Sequence, residues 1–167
     1  MRRRLIFVTV GSSNFGFDRL IKTMDLIAGT GNFNVIMQIG SSSYIPRHGK
    51  WERFMDYNLI LQYISEADVT VTHAGAGTIL DILFTGKIPV VVPRLKRYNE
   101  ATDDHQLELV KALEKRDLII PVYDIRNLGE AILTGLEVNS DRHRMKIIKL
   151  TKNRSRLARI LGEILCR

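Results

Sequence analysis

Short β-branched apolar runs alternate with stretches of helical periodicity along almost the whole chain, and this alternation constrains the fold more than any other feature. Leu5–Val10, Asn34–Ile39, Asp68–Thr72 and Ile88–Val92 read as strands, the last closed by Pro93, with a short one at Leu118–Ile120. Asn58–Tyr63 reads as a further strand. Between them, Asp18 to Ala28 places Leu20, Ile21, Met24, Ile27 and Ala28 on one helical stripe, and Thr78–Thr85 does the same with Ile79, Ile82 and Leu83. His105–Lys115 is helical, and Asp124 is a plausible cap for a helix through Leu133. Continuous β-branched runs mark strands buried on both faces. With helices between them they form a parallel sheet covered on both sides, an α/β Rossmann-like arrangement.

Length allows one such domain, since 167 residues lie within the usual single-domain range. Residues 1–140 are read as that domain, Glu137–Asp141 as a short polar connection, and residues 141–167 as a basic amphipathic tail. The tail has apolar residues at Ile147, Ile148, Leu150, Leu157, Ile160, Leu161, Ile164 and Leu165, forming one long helix or two broken near Asn153. It holds nine Lys/Arg and two acids and so carries the whole net charge of +7, while residues 1–140 balance at sixteen of each sign. The body is therefore no basic nucleic-acid surface, and the tail lacks the interleaved aromatics of a single-strand binder.

Several classes fall away quickly. The single cysteine, Cys166, excludes an intrachain disulfide and a Cys-based zinc site. His48, His73, His105 and His143 show no metal-ligand spacing, so no metal is expected. Arg2-Arg3-Arg4 followed by Leu5–Val10 imitates a signal peptide, but the apolar run is too short and no small-residue cleavage site follows. No stretch approaches the ~20 apolar residues of a membrane span.

Ligands of open parallel sheets bind beyond the carboxyl ends of the strands, and three loops there carry chemistry. Thr72-His73-Ala74-Gly75-Ala76-Gly77-Thr78 runs from a strand into a helix. Its small residues admit a ligand to the backbone, and the helix start offers unpaired N–H groups and partial positive charge to a phosphate. Tight strand–helix packing explains the same residues. No Gly-Lys-Ser/Thr follows, so this is no Walker A loop. Leu80 stands where a dinucleotide fingerprint has its third glycine. Gly11-Ser12-Ser13-Asn14-Phe15-Gly16 either presents N–H groups and hydroxyls to the same ligand or is a plain turn. Asp103-Asp104-His105-Gln106 is either a set of hydrogen-bonding groups for sugar hydroxyls or a helix cap. Asp81, one turn into its helix, has the chemistry to take ribose hydroxyls and is also an ordinary helix-surface acid.

At these residues the sequence resembles the C-terminal, donor-binding domain of family 28 glycosyltransferases. It is most similar to the stand-alone form, known as the catalytic subunit of the eukaryotic dolichol-linked N-acetylglucosaminyltransferase and as bacterial capsule and exopolysaccharide subunits. The matching pieces are Val8-Thr9-Val10-Gly11-Ser12, Gln38-Ile39-Gly40, Ala67-Asp68-Val69 with His73 through Thr78, Gly86 through Pro93, and Asp104-His105-Gln106. They stand in the family's order over roughly residues 5–135.

The resemblance implies one half of a GT-B fold that holds a UDP-sugar without a metal. The diphosphate would lie on His73, Ala74, Gly75, Ala76, Gly77 and Thr78, with Gly11, Ser12 and Ser13 opposite. Asp81 would hold the ribose, although the family commonly has Glu there. Asp104, His105 and Gln106 would reach the donor sugar, and backbone near Phe54 and Met55 would read the uracil. The acceptor groove and general base belong to the other half, so no catalytic residue is assigned to this chain. In stand-alone relatives that half is a separate, membrane-anchored protein. The implied function is the donor-binding subunit of an inverting, two-component glycosyltransferase acting on a lipid-diphosphate acceptor, with the subunit recruited from the cytoplasm to the membrane face. A homo-oligomer is also open. The competing reading is a non-enzymatic nucleotide-sugar-binding partner that stabilises or regulates a transferase.

Overall fold

A computed structural model describes residues 2–140 and 154–165. Six parallel strands form one sheet: β1 (Arg4–Thr9), β2 (Phe33–Gln38), β3 (Lys50–Glu52), β4 (Val69–His73), β5 (Val90–Val92) and β6 (Ile120–Pro121), in the order β3-β2-β1-β4-β5-β6. Helices α1 (Asp18–Gly29), α2 (Tyr57–Glu66), α3 (Ala76–Phe84), α4 (His105–Glu114), α5 (Leu128–Val138) and α6 (Arg154–Leu165) cover both faces.

The central strand shows why both faces must be covered. Ile6 and Val8 join Leu20, Ile21 and Met24 of α1 and Leu128 and Ile132 of α5 on one side. Leu5 and Phe7 point the other way, to Ile64 of α2 and Ile82 of α3. On that second side Ile79 and Leu83 also meet Val110 and Leu113 of α4, and Leu157 and Leu161 of α6. Leu157 and Leu161 of the tail's apolar stripe are thus buried against the domain itself, with Ile160 and Ile164 packed beside them. Ile147, Ile148, Leu150 and the break at Asn153 lie outside the described residues. Among the described residues no helix is long and apolar enough to cross a membrane.

Two expectations need correction. Asn58–Tyr63 is not a strand: it is the body of α2, started by Asp56, whose carboxylate accepts Leu59 N–H at 3.0 Å. Its inward residues, Ile60, Tyr63, Ile64 and Ala67, recur every three or four positions, a helical period that six residues alone do not separate from a strand. At its other end the buried Lys87 ammonium donates to the carbonyls of Ile64, Ser65 and Ala67. The third strand is instead β3, three exposed residues at the sheet edge with no apolar run to betray it. The helix expected from Asp124 to Leu133 begins with a 3-10 turn at Ile125–Asn127 and continues to Val138. The polar connection therefore starts later than read, and Asn139 bonds back to both backbone groups of Ile88.

Candidate functional site

The strand order reverses direction between β1 and β4, and the loops leaving their carboxyl ends diverge there. Such a switch point is where open α/β sheets form a crevice. The Gly11 loop and the His73–Thr78 loop are its two walls.

On the β4 side, α3 begins without any capping side chain. Its first intrahelical bond runs from Ile79 N–H to Gly75 carbonyl at 3.0 Å. The N–H groups of Ala76, Gly77 and Thr78 consequently have no partner inside the helix, and the helix dipole adds partial positive charge at that end. A Cβ at Gly77 would have nothing within 4 Å, so the fold leaves this glycine's surroundings open.

Gly11 and Gly75 differ from Gly77, because both close on the His73 ring. A Cβ at Gly11 would fall 2.7 Å from His73 Cε1, and Gly11 also has a φ of +73° that disfavours a side chain. Burial pushes the His73 imidazole down to about 4, helped by the charge of Arg94, against the upward pull of its bond to the Thr9 backbone. At neutral pH the ring is uncharged. It acts as a spacer between the loops rather than as a cation for phosphate.

The Gly11 loop is held by two buried side chains. Gln38 Oε1 accepts from Thr9 Oγ1 (2.7 Å), Val10 N–H (3.1 Å) and Gly11 N–H (3.2 Å), while its amide donates to Gly11 carbonyl (3.0 Å) and Arg53 carbonyl (2.9 Å). Arg94 donates to the carbonyls of Val10 (2.8 Å), Phe15 (2.9 Å), Gly16 (3.0 Å) and Glu100 (3.1 Å). Burial lowers its guanidinium to about 10, against the favourable charge of Glu100, so it stays cationic at neutral pH. Ser12 is exposed, whereas Ser13 is engaged within the loop, its hydroxyl accepting Phe15 N–H at 3.2 Å.

The Asp103–Gln106 segment divides its work. Asp103 accepts His105 N–H at 3.0 Å, and Asp104 accepts Lys96 N–H at 2.9 Å without capping α4. Gln106 Oε1 accepts Ala74 N–H (3.2 Å) and Arg94 N–H (3.0 Å), which fixes the orientation of its amide. Its NH2 has no partner among the described residues, so toward a ligand Gln106 is a donor. His105 is exposed, with Nδ1 3.5 Å from Glu108.

Asp81 lies four residues beyond Gly77 and therefore on the same face of α3. Its Oδ1 accepts the Tyr57 hydroxyl at 2.9 Å. The loop before α2 carries exposed Phe54 and half-buried Met55, and Gln38 ties the loop's Arg53 carbonyl to Gly11. Among the described residues no three His, Cys, Asp or Glu side chains are grouped to hold a metal. A groove of about 630 Å³ between α4 and α6 touches this cluster only at His105. Converging backbone donors, not volume, mark the site.

The model of the glycosyltransferase family 28 C-terminal domain matches residues 5–160. The chain belongs to this family. This family 28 domain is 36% identical over 123 residues to the human UDP-N-acetylglucosamine transferase subunit ALG13, covering 67% of the chain and 10% of that protein. The Yarrowia lipolytica protein of the same name is 29% identical over 133 residues, covering 70% of the chain and 64% of the relative. The domain thus spans only a part of each.

Two solved glycosyltransferases share the fold. That of kitacinnamycin has a TM-score of 0.67 at 17% identity, covering 97% of this chain and 42% of its own. The calicheamicin glycosyltransferase CalG4 has a TM-score of 0.56 at 15% identity, covering 98% and 39%. The family 28 domain is thus one half of a GT-B fold.

The structure adds residues that the sequence left without a role. Gln38 carried a weak signal, a lone amide in an apolar strand. Arg94 and Tyr57 carried none, because their partners lie up to 84 and 24 residues away.

Proposed function

We propose that this family 28 domain binds the UDP-sugar donor of a two-component, inverting glycosyltransferase whose acceptor is a lipid-linked diphosphate. The uncapped start of α3 at the switch point, with open space at Gly77, carries this reading. Three N–H groups in a row without a partner inside the helix suit the diphosphate. Gly11, Ser12 and Ser13 form the facing wall, with the Arg94 charge behind it. Asp81 takes the ribose, and the backbone at Phe54 and Met55 takes the uracil. The Gln106 NH2, with Asp104 and His105 beside it at the start of α4, takes the sugar.

The relatives that carry the name UDP-N-acetylglucosamine transferase subunit support both the donor class and the dependence on a partner. In this reading the partner is membrane-anchored, binds the acceptor and supplies the general base, and it recruits this domain to the cytoplasmic face of the membrane. The donor needs no metal, because helix-start N–H groups and the buried guanidinium oppose its charge. Transfer requires both reactants in near-attack geometry and a base within hydrogen-bond reach, and the donor half alone meets neither requirement.

Calorimetric titration with UDP, UDP-N-acetylglucosamine and other UDP-sugars, with and without EDTA, tests the donor reading. The expected result is metal-independent binding of UDP and at least one UDP-sugar, and absence of binding refutes it. Robust transfer to a lipid acceptor by the purified chain alone would refute the two-component reading.

A further inference from the structure

Tyr57 is the first residue of α2, it is 59% exposed, and it belongs to none of the buried clusters. Among the described residues its one evident engagement is the hydroxyl it gives to Asp81 Oδ1 at 2.9 Å. That bond joins α2, which follows the Phe54–Met55 loop, to the face of α3 that also carries Gly77. A phenol has one proton and two lone pairs. With the proton committed to Asp81, the lone pairs of Tyr57 remain acceptors. Asp81 Oδ2 makes no hydrogen bond among the described residues and is a second acceptor beside them.

A vicinal diol presents two adjacent O–H donors, and the Tyr57–Asp81 pair presents two adjacent acceptors. We infer, resting on the UDP-sugar reading above, that Tyr57 is a nucleotide-binding residue that forms with Asp81 a two-acceptor subsite for the ribose 2′- and 3′-hydroxyls. One hydroxyl donates to Asp81 Oδ2 and the other to the Tyr57 oxygen. The phenol thereby extends an acidic side chain that is one methylene shorter than glutamate. The Asp81 carboxylate raises the Tyr57 hydroxyl above its ordinary range, chiefly through their hydrogen bond, which keeps the phenol protonated and committed to Asp81.

The test compares UDP with 2′,3′-dideoxy-UDP on the wild type and on Tyr57→Phe, by calorimetric titration with a melting scan of each protein. Loss of one neutral hydrogen bond predicts UDP binding about 2- to 12-fold weaker in Tyr57→Phe, with unchanged dideoxy affinity and melting temperature. The wild-type preference for the ribonucleotide shrinks by the same factor. Wild-type UDP affinity in Tyr57→Phe overturns the inference. So does an equal loss for both nucleotides, which assigns Tyr57 to stacking or to the fold. Wild-type protein that binds neither nucleotide overturns the UDP-sugar reading itself, and the ribose subsite falls with it.

Discussion

The imidazole of His73 fills the space that a side chain at Gly75 would need, so that a Cβ there would overlap its Nε2. Gly77, two residues on, faces nothing. The two glycines of one loop therefore answer to different demands. Gly75→Ala forces the ring to move, an overpacking that destabilises by about 1–3 kcal/mol. Gly77→Ala relieves a helical glycine and stabilises by a few tenths to about 1 kcal/mol. If a diphosphate lies on α3, the same methyl obstructs the N–H groups and lowers UDP affinity by about 5- to 100-fold. Urea unfolding and UDP titration of both variants read the difference. A Gly77→Ala protein that binds UDP normally removes the start of α3 from the site.

Asp81 is tested through its charge. Asp81→Ala removes hydrogen bonds to an ionised group, about 1.5–3 kcal/mol, and donor affinity falls about 10- to 150-fold. Its half-exposed position keeps the melting temperature close to that of wild type. Unchanged UDP affinity would take Asp81 out of the site.

Gln106 separates structural from ligand duties. Gln106→Ala strands the N–H groups of Ala74 and Arg94 and destabilises by about 1–3 kcal/mol for each group that stays unsatisfied. Gln106→Glu keeps an acceptor for both but loses the NH2. It should fold normally and lose affinity for UDP-sugar more than for UDP. Equal losses for the two ligands would deny the residue any contact with the sugar.

His73 gives the domain an acid-sensitive step. Its folded value of about 4 lies below the usual value of 6.5, so the unfolded chain takes up a proton first as pH falls. Stability is therefore unaffected above pH 6.5, declines between 6.5 and 4, and is about 2 kcal/mol lower at pH 5 from this group alone. Asp25 does not confuse the reading. Burial raises its carboxyl, but bonds from Arg47, His48, Gly49 and Tyr44 outweigh that and hold it below 3.8, where its own loss begins. Urea midpoints at pH 7 and pH 5 should differ less in His73→Gln than in wild type.

Strands β1, β2, β4 and β5 were legible from their runs of β-branched and apolar residues, and α1 and α3 because their stripes repeat over several turns. β3 was not, since Lys50-Trp51-Glu52 is exposed and its pairing with Ile36–Gln38 is its only strand character. α2 was misread because Leu59, Ile60, Leu61 and Ile64 suit either period when only a few residues are weighed. The loops of the candidate site could be located, since glycines and helix starts are local signals. The allocation of their polar atoms could not. That Asp103 bonds to His105 while Asp104 reaches back to Lys96, or that Gln106 spends its oxygen on two backbone groups, depends on loops meeting in space.

Gln38 grips Gly11 on one side and Arg53 on the other, and Arg94 threads the carbonyls of the Gly11 loop. These bonds lie wholly within the chain and involve no atom of a ligand, so the protein itself braces the walls of the crevice. Association then spares the loop-ordering entropy that a floppy site would lose. Donor capture should be a fast, single-step encounter with little change in backbone shape, and mutants of Gln38 or Arg94 should slow arrival as well as hasten departure. The same bracing couples the diphosphate wall to the base-reading loop, so neither can be reshaped alone. Natural variation in donor-sugar preference should therefore concentrate around His105, which is exposed and takes no part in this bracing.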